Sequence, residues 1–123
     1  TGDVWAKIAK GNAADVDRAV ASAKNAFESG WADVKPTERG RLLYKLADLI
    51  ERDAQRLGEI EVRDNGKLIA EMAAQTQYMS QWYRYYGGLA DKVEGAVIPT
   101  DKAGIFNFTR YEPLGVVAMI TAS

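Results

Sequence analysis

Glu112-Pro113-Leu114-Gly115-Val116-Val117-Ala118-Met119-Ile120-Thr121-Ala122-Ser123 closes the sequence and decides how the rest is read. Pro113 and Gly115 form a turn, and Val116 to Ile120 then run as an unbroken apolar segment of the kind buried on both faces of a parallel sheet. Such a strand needs neighbours, and the 123 residues stop without supplying them. The stretch therefore reads as the opening strand of a domain whose remainder lies elsewhere, and the sequence as a piece of a larger protein.

Immediately upstream the pattern alternates. Ile105, Asn107 and Thr109 fall on one side and Phe106, Phe108 and Arg110 on the other. Ala96-Val97-Ile98 and the turn-like Asp101-Lys102-Ala103-Gly104 precede them, which predicts a β-hairpin. An exposed edge carrying Phe106 and Phe108 calls for cover by another chain or domain.

Further back the period becomes helical. Leu68 to Lys92 is the longest helical pattern, with Met72, Ala73, Thr76, Met79, Tyr83 and Tyr86 on one side, and it ends in Tyr83-Arg84-Tyr85-Tyr86-Gly87-Gly88. Before it, Leu42, Leu43, Leu46, Leu49 and Ile50 form a broad apolar stripe that needs a partner. Thr37, behind Pro36, is the N-cap candidate for that helix, and Asp64-Asn65-Gly66 its end. Asp53 could cap a restart, so one bent helix or two both fit. Asn12 with Asp15 predicts a capping box for a helix carrying Val16, Ala19, Val20, Ala23 and Phe27, closed by Gly30 and followed by Trp31 as a core anchor. Val4, Ala6 and Ile8 on one face, with Lys7 on the other, predict a short edge strand.

Composition narrows the function. A chain with 47% hydrophobic and 27% charged residues can bury a core. Sixteen basic against seventeen acidic residues leave a net charge of −1, so nothing draws the chain to nucleic acid or to an anionic membrane. Neither cysteine nor histidine is present, which removes thiol nucleophiles, disulfides, imidazole bases and the commonest metal ligands. No metal site and no catalytic residue is expected. With no apolar run near the roughly 20 residues of a membrane span and no signal-like start, a soluble cytoplasmic protein is the expectation.

The remaining candidates weigh toward structure. Glu59 with Arg63 and Asp48 with Arg52 sit at i,i+4, the build of a solvated helix face rather than an acid/base group. Trp82, Tyr83, Tyr85 and Tyr86 at helical spacing suit a core better than an apolar passage. Asn107-Phe108-Thr109 matches a glycosylation acceptor, which has no force without a secretory signal. No two of the eleven glycines are spaced as G-x-G, so no phosphate-cradling fingerprint is present.

Taken together, the landmarks resemble the N-terminal part of the aldehyde dehydrogenase superfamily. They are Ala14-Asp15-Val16-Asp17-Arg18-Ala19-Val20, Ala26-Phe27 with Trp31, Glu38-Arg39 with Leu42-Leu43, Leu46-Ala47-Asp48-Leu49-Ile50, Asp64-Asn65-Gly66-Lys67, Tyr85-Tyr86-Gly87-Gly88, Ile98-Pro99 and Glu112-Pro113-Leu114-Gly115-Val116-Val117. The resemblance implies oxidation of an aldehyde to a carboxylic acid with NAD or NADP, through a cysteine thiolate, an asparagine amide and a glutamate. None of those groups is matched here. As a fragment the chain is expected to be inactive and to bind no cofactor tightly, and a non-catalytic oligomerisation module is the alternative. At the strand end Ala122 fits the family pattern, while Ser123 stands where the family has Trp.

The resemblance also implies an architecture and positions. The fold class expected is α/β, with helices beside a small antiparallel hairpin and the terminal strand opening a dinucleotide-binding domain. Residues 1–95 would be the N-terminal strand and helical region, 96–111 a protruding oligomerisation hairpin, and 112–123 the first strand of the NAD(P)-binding domain. Ile120, Thr121 and Ala122 match the strand end that borders the cofactor's ribose and nicotinamide, and Tyr78 and Trp82 match positions flanking the substrate tunnel. A homo-oligomer through the 97–110 hairpin or the terminal strand is the partner expected.

Overall fold

The computed structural model describes residues 2–121, in which helix α1 spans Ala13–Ser29, α2 Pro36–Asn65 and α3 Ile69–Leu89. Two short strands, β1 (Val97–Ile98) and β2 (Asn107–Phe108), follow. The chain divides into two compact units, one formed by the residues up to Asp33 with those from Glu112 onward, the other by Val34–Tyr111.

In the first unit, α1 begins as its sequence predicts. The Asn12 side chain accepts from the Asp15 N–H while the Asp15 carboxylate accepts from the Asn12 N–H, a complete capping box. Arg18 pairs with the same Asp15. Gly30 caps the far end, and a 3-10 turn, Trp31–Asp33, follows. Trp31 is half-exposed rather than a core anchor, because α1 contributes no fully buried residue for it to pack with. The strand expected at Val4–Ile8 is not formed: Val4 and Ile8 are exposed, and no partner strand among the described residues satisfies the backbone there. The same physics governs Val116 to Ile120, which carry no ladder and are exposed.

The second unit is an antiparallel helical hairpin followed by a β-hairpin. Helix α2 starts with Pro36 at its first turn and Lys35 at the N-cap, two residues earlier than a Thr37 cap. The fixed φ of proline suits the first helical turn, where its missing N–H is not needed. No break occurs at Asp53, whose carboxylate accepts from Arg52 instead of capping a restart. Gly66, at φ 76°, ends α2 in the left-handed conformation and donates its N–H to the Val62 carbonyl.

The fully buried face of α2 that meets α3 is made of small residues, and of the leucine stripe only Leu43 and Ile50 are half-buried. Buried along it are Gly40, Ala47, Ala54 and Gly58, opposite Met72, Thr76, Ser80 and Gly87 of α3. The approach is close enough that a Cβ on Gly40 would lie 2.6 Å from the Gly87 carbonyl oxygen, and one on Gly58 2.9 Å from the Ala73 nitrogen. Leu42, Leu46 and Leu49 remain exposed, as do Met79 and Tyr86 of the face expected to be buried on α3. Small residues win the interface because they let two helix backbones approach, gaining dispersion along the whole length.

The β-hairpin pairs Val97 with Phe108 and Ile98 with Asn107 in antiparallel register. The pairing continues one residue outward, where the Ala96 N–H donates to Thr109 Oγ1 and the Thr109 N–H to the Ala96 carbonyl. Gly95 is required there, since a Cβ would overlap the Thr109 carbonyl oxygen.

Candidate functional site

The candidate site is the exposed side of α3. The helix is continuous because its polar residues do not compete with it. Thr76 Oγ1 donates to the Met72 carbonyl at 2.7 Å and Ser80 Oγ to the Gln77 carbonyl at 2.8 Å, so both buried hydroxyls are satisfied within α3. With the seam taking that face, Tyr78 and Trp82, one turn apart, project elsewhere. Their rings meet edge-on at 6.1 Å with an interplanar angle of 87°. They are 54% and 52% exposed, which overturns a core role within this chain. Tyr85 and Tyr86 are likewise exposed and meet edge-on at 5.3 Å.

Tyr78 and Trp82 line a shallow groove of about 610 Å³ together with Ala74, Gln75 and Met79. Its wall is mostly apolar and carries no ionisable group apart from the Tyr78 phenol. Such a surface can hold an uncharged organic group by contact and ring stacking, and it has no acid, base or nucleophile for chemistry.

On the neighbouring flank, Glu51, Gln77, Gln81 and Arg84 line a more polar hollow that shares Tyr78. There the Arg84 Nη2 donates to Asp48 Oδ1 at 2.7 Å and to Glu51 Oε2 at 2.6 Å, linking α3 to α2. Asp48 thus pairs across the helices and not with Arg52. Sequence reasoning missed this clamp. The available signal was that Arg84 is the one basic residue of α3, beside a helix rich in carboxylates.

The perturbed titrating groups lie on exposed ion pairs away from the groove. The hydrogen bond from Arg52 holds Asp53 below the usual carboxylate range and raises Arg52, and Lys92 lowers Asp91 in the same way. No cluster of three potential metal ligands occurs among the described residues. No described helix is long and apolar enough to cross a membrane.

The strand-end candidates fall in the other unit. Ile120 is 94% exposed and Thr121 is exposed, while Ala122 lies outside the described residues. A dinucleotide cradle needs a sheet edge and a phosphate-binding turn, and Val116 to Thr121 has no neighbouring strand among the described residues. The described residues therefore do not by themselves build a nucleotide site.

Comparison with known proteins identifies the class. The profile described as "Aldehyde dehydrogenase family" matches residues 1–122, and the chain belongs to that family. A (Z)-2-((N-methylformamido)methylene)-5-hydroxybutyrolactone dehydrogenase of Acinetobacter baylyi is 48% identical over 121 residues, covering 98% of this chain and 25% of the relative. The mitochondrial aldehyde dehydrogenase of Rattus norvegicus is 45% identical over 98% of this chain and 24% of its own length.

Among solved structures, a Burkholderia cenocepacia protein assigned to the aldehyde dehydrogenases superimposes with a TM-score of 0.81 at 36% identity, covering 85% of this chain and 22% of that one. A betaine aldehyde dehydrogenase of Staphylococcus aureus, solved in complex with NAD⁺, gives a TM-score of 0.76 at 31% identity, covering 82% of this chain and 21% of that one. The chain thus spans about a quarter of the length of the relatives it matches.

Proposed function

We propose that the chain is the N-terminal part of an NAD(P)-dependent enzyme that oxidises an aldehyde to a carboxylic acid. The observation that carries this is the family match over residues 1–122, and the exposed aromatic groove on α3 is in keeping with it. In this reading Tyr78 and Trp82 flank the passage of the aldehyde. Ile120, Thr121 and Ala122 end the first strand of a dinucleotide-binding domain, and bordering the ribose and nicotinamide would fall to them once further strands are present. Residues 1–95 are scaffold, 96–111 an oligomerisation hairpin and 112–123 that first strand. The cytoplasm is the proposed compartment, on the balanced charge and ordinary composition.

The reaction chemistry itself is assigned to other parts of the protein. With no cysteine in the sequence, no thiolate can form the covalent intermediate, so the 123-residue chain alone is expected to be inactive. The test is aldehyde-dependent reduction of NAD⁺ or NADP⁺, followed spectrophotometrically for the complete protein and for the 123 residues alone. Turnover in the first and none in the second supports the reading. Turnover by the short chain would overturn its assignment as scaffold, and silence of the complete protein across short, long and aromatic aldehydes would overturn the reaction.

A second reading, that the chain is a self-associating module without catalysis, draws on the hairpin. Phe106 is 70% exposed and its ring meets that of Phe108 at a tilt, with Val97, the exposed strand partner of Phe108, opposite. Sedimentation of the short chain decides this: a monomer at high concentration removes the module reading.

A further inference from the structure

We infer that Arg84 is a positioning residue: by bridging Asp48 and Glu51 it fixes the rotation of α3 about its own axis and so aims the Tyr78–Trp82 pair. The inference rests on the reading of those two rings as passage residues, and it concerns a group that touches neither substrate nor cofactor.

The seam between α2 and α3 sets how near the helices lie, but its small residues do little to oppose rotation over most of its length. Its fully buried residues are glycine, alanine, serine and threonine with Met72, and the Tyr44 ring lies over Gly87 and Gly88 at one end, so most of its length is smooth. Thr76 and Ser80 spend their hydroxyls on their own helix and tie nothing across. Arg84 does tie across. Asp48 and Glu51 stand at i,i+3 on α2 and present two carboxylates on one face, spaced so that one guanidinium nitrogen reaches both, at 2.7 and 2.6 Å.

Two anchors separated along α2 oppose rolling and sliding together, which a single pair would not. The Arg84 side chain is about one-third exposed, less than either partner, so its position is held by surrounding atoms as well as by charge. Arg84 follows Trp82 by two residues, and Tyr78, a further turn back, lines both the aromatic groove and the hollow that Arg84 walls. Any change in the roll of α3 therefore reaches the groove directly. With a helix radius of about 5–6 Å, a roll of about 20° carries a ring through about 2 Å. That displacement is large against the tolerance of a binding wall.

The test uses the complete protein that carries these residues, assayed with hexanal, whose alkyl chain would extend along the passage on this reading, and with acetaldehyde, which has only a methyl group beyond its carbonyl. Arg84→Met should raise KM for hexanal by about fivefold, leave kcat within about twofold and leave acetaldehyde unaffected, because a wall is moved and no reacting group is lost. Arg84→Lys should recover part of the loss, since an ammonium reaches one carboxylate well but lacks the planar fork. In an Asp48→Asn, Glu51→Gln background, Arg84→Met should add nothing further. Equal losses of kcat for both aldehydes, or an Arg84→Met effect undiminished in that background, would overturn the inference.

A crystal structure of the Arg84→Met protein supplies a readout that needs no activity. The inference expects the Trp82 ring displaced by about 1 Å or more relative to α2, and an unmoved ring overturns it. If the unsubstituted protein oxidises no aldehyde, the proposed reaction fails, and the ring displacement still decides the role of Arg84.

Discussion

Two stretches of this chain reverse the usual relation between apolar character and burial. Val116-Val117-Ala118-Met119-Ile120 is an unbroken apolar run, yet Met119 is 89% and Ile120 94% exposed. The seam of α2 and α3 is built of Gly40, Ala47, Ala54, Gly58, Thr76, Ser80 and Gly87, with Met72, and these are the buried residues. Burial follows the availability of a matching surface more than the hydrophobicity of the residue. The helical seam finds its partner a short turn away in sequence, whereas a parallel strand must recruit neighbours through crossovers of a dozen residues or more.

The seam offers the sharpest way to break that comparison. Gly40→Val places atoms where the Gly87 carbonyl oxygen would be 2.6 Å from the new Cβ, and should destabilise the chain by about 3 kcal/mol in urea unfolding. An unchanged midpoint would mean that the helices lie further apart. Smaller, and confined to the other unit, is Asn12→Ala: losing the capping box of α1 should cost about 1 kcal/mol. Arg84→Met should cost the isolated chain about 0.5–1 kcal/mol, in keeping with a partly exposed ion pair, and the loss should shrink in high salt.

The tail is expected to respond in the opposite sense. Ile120→Ser in the 123-residue chain should change stability by less than about 0.5 kcal/mol, while the same change in the complete protein should cost about 2–4 kcal/mol if the strand is buried there. Equal effects in both would erase the contrast between the two stretches. The smallest effect belongs to Asp53. Its folded-state value is depressed by Arg52, so whatever the pair contributes is present above the ordinary carboxylate value near 3.8 and is lost as pH falls through the lowered one. An NMR titration should place its midpoint below 3.8, and Arg52→Ala should return it upward.

Local chemistry was legible wherever neighbouring residues decide the outcome. Asn12 and Asp15 announced the start of α1, Gly66 announced the end of α2, and the alternation of residues 105–110 behind Asp101-Lys102-Ala103-Gly104 announced the hairpin. The Thr37 cap and the Asp53 restart failed because other groups competed: Pro36 moved the start earlier, and Arg52 took the Asp53 carboxylate. Of the candidate site, Tyr78 and Trp82 were found by resemblance, and their contact follows from helical spacing of one turn.

What the sequence determined by itself is the helical stretches, the hairpin and the family, because caps, turns and periodicities act over a few residues and the ordered landmarks span the chain. Tertiary structure alone decided which faces meet. Leucine and small-residue stripes coexist on α2, and only the fit of two backbones selects the glycines and alanines over Leu42, Leu46 and Leu49. The Arg84 bridge to Asp48 and Glu51 follows from that selection, since it joins residues more than thirty positions apart that no local pattern connects.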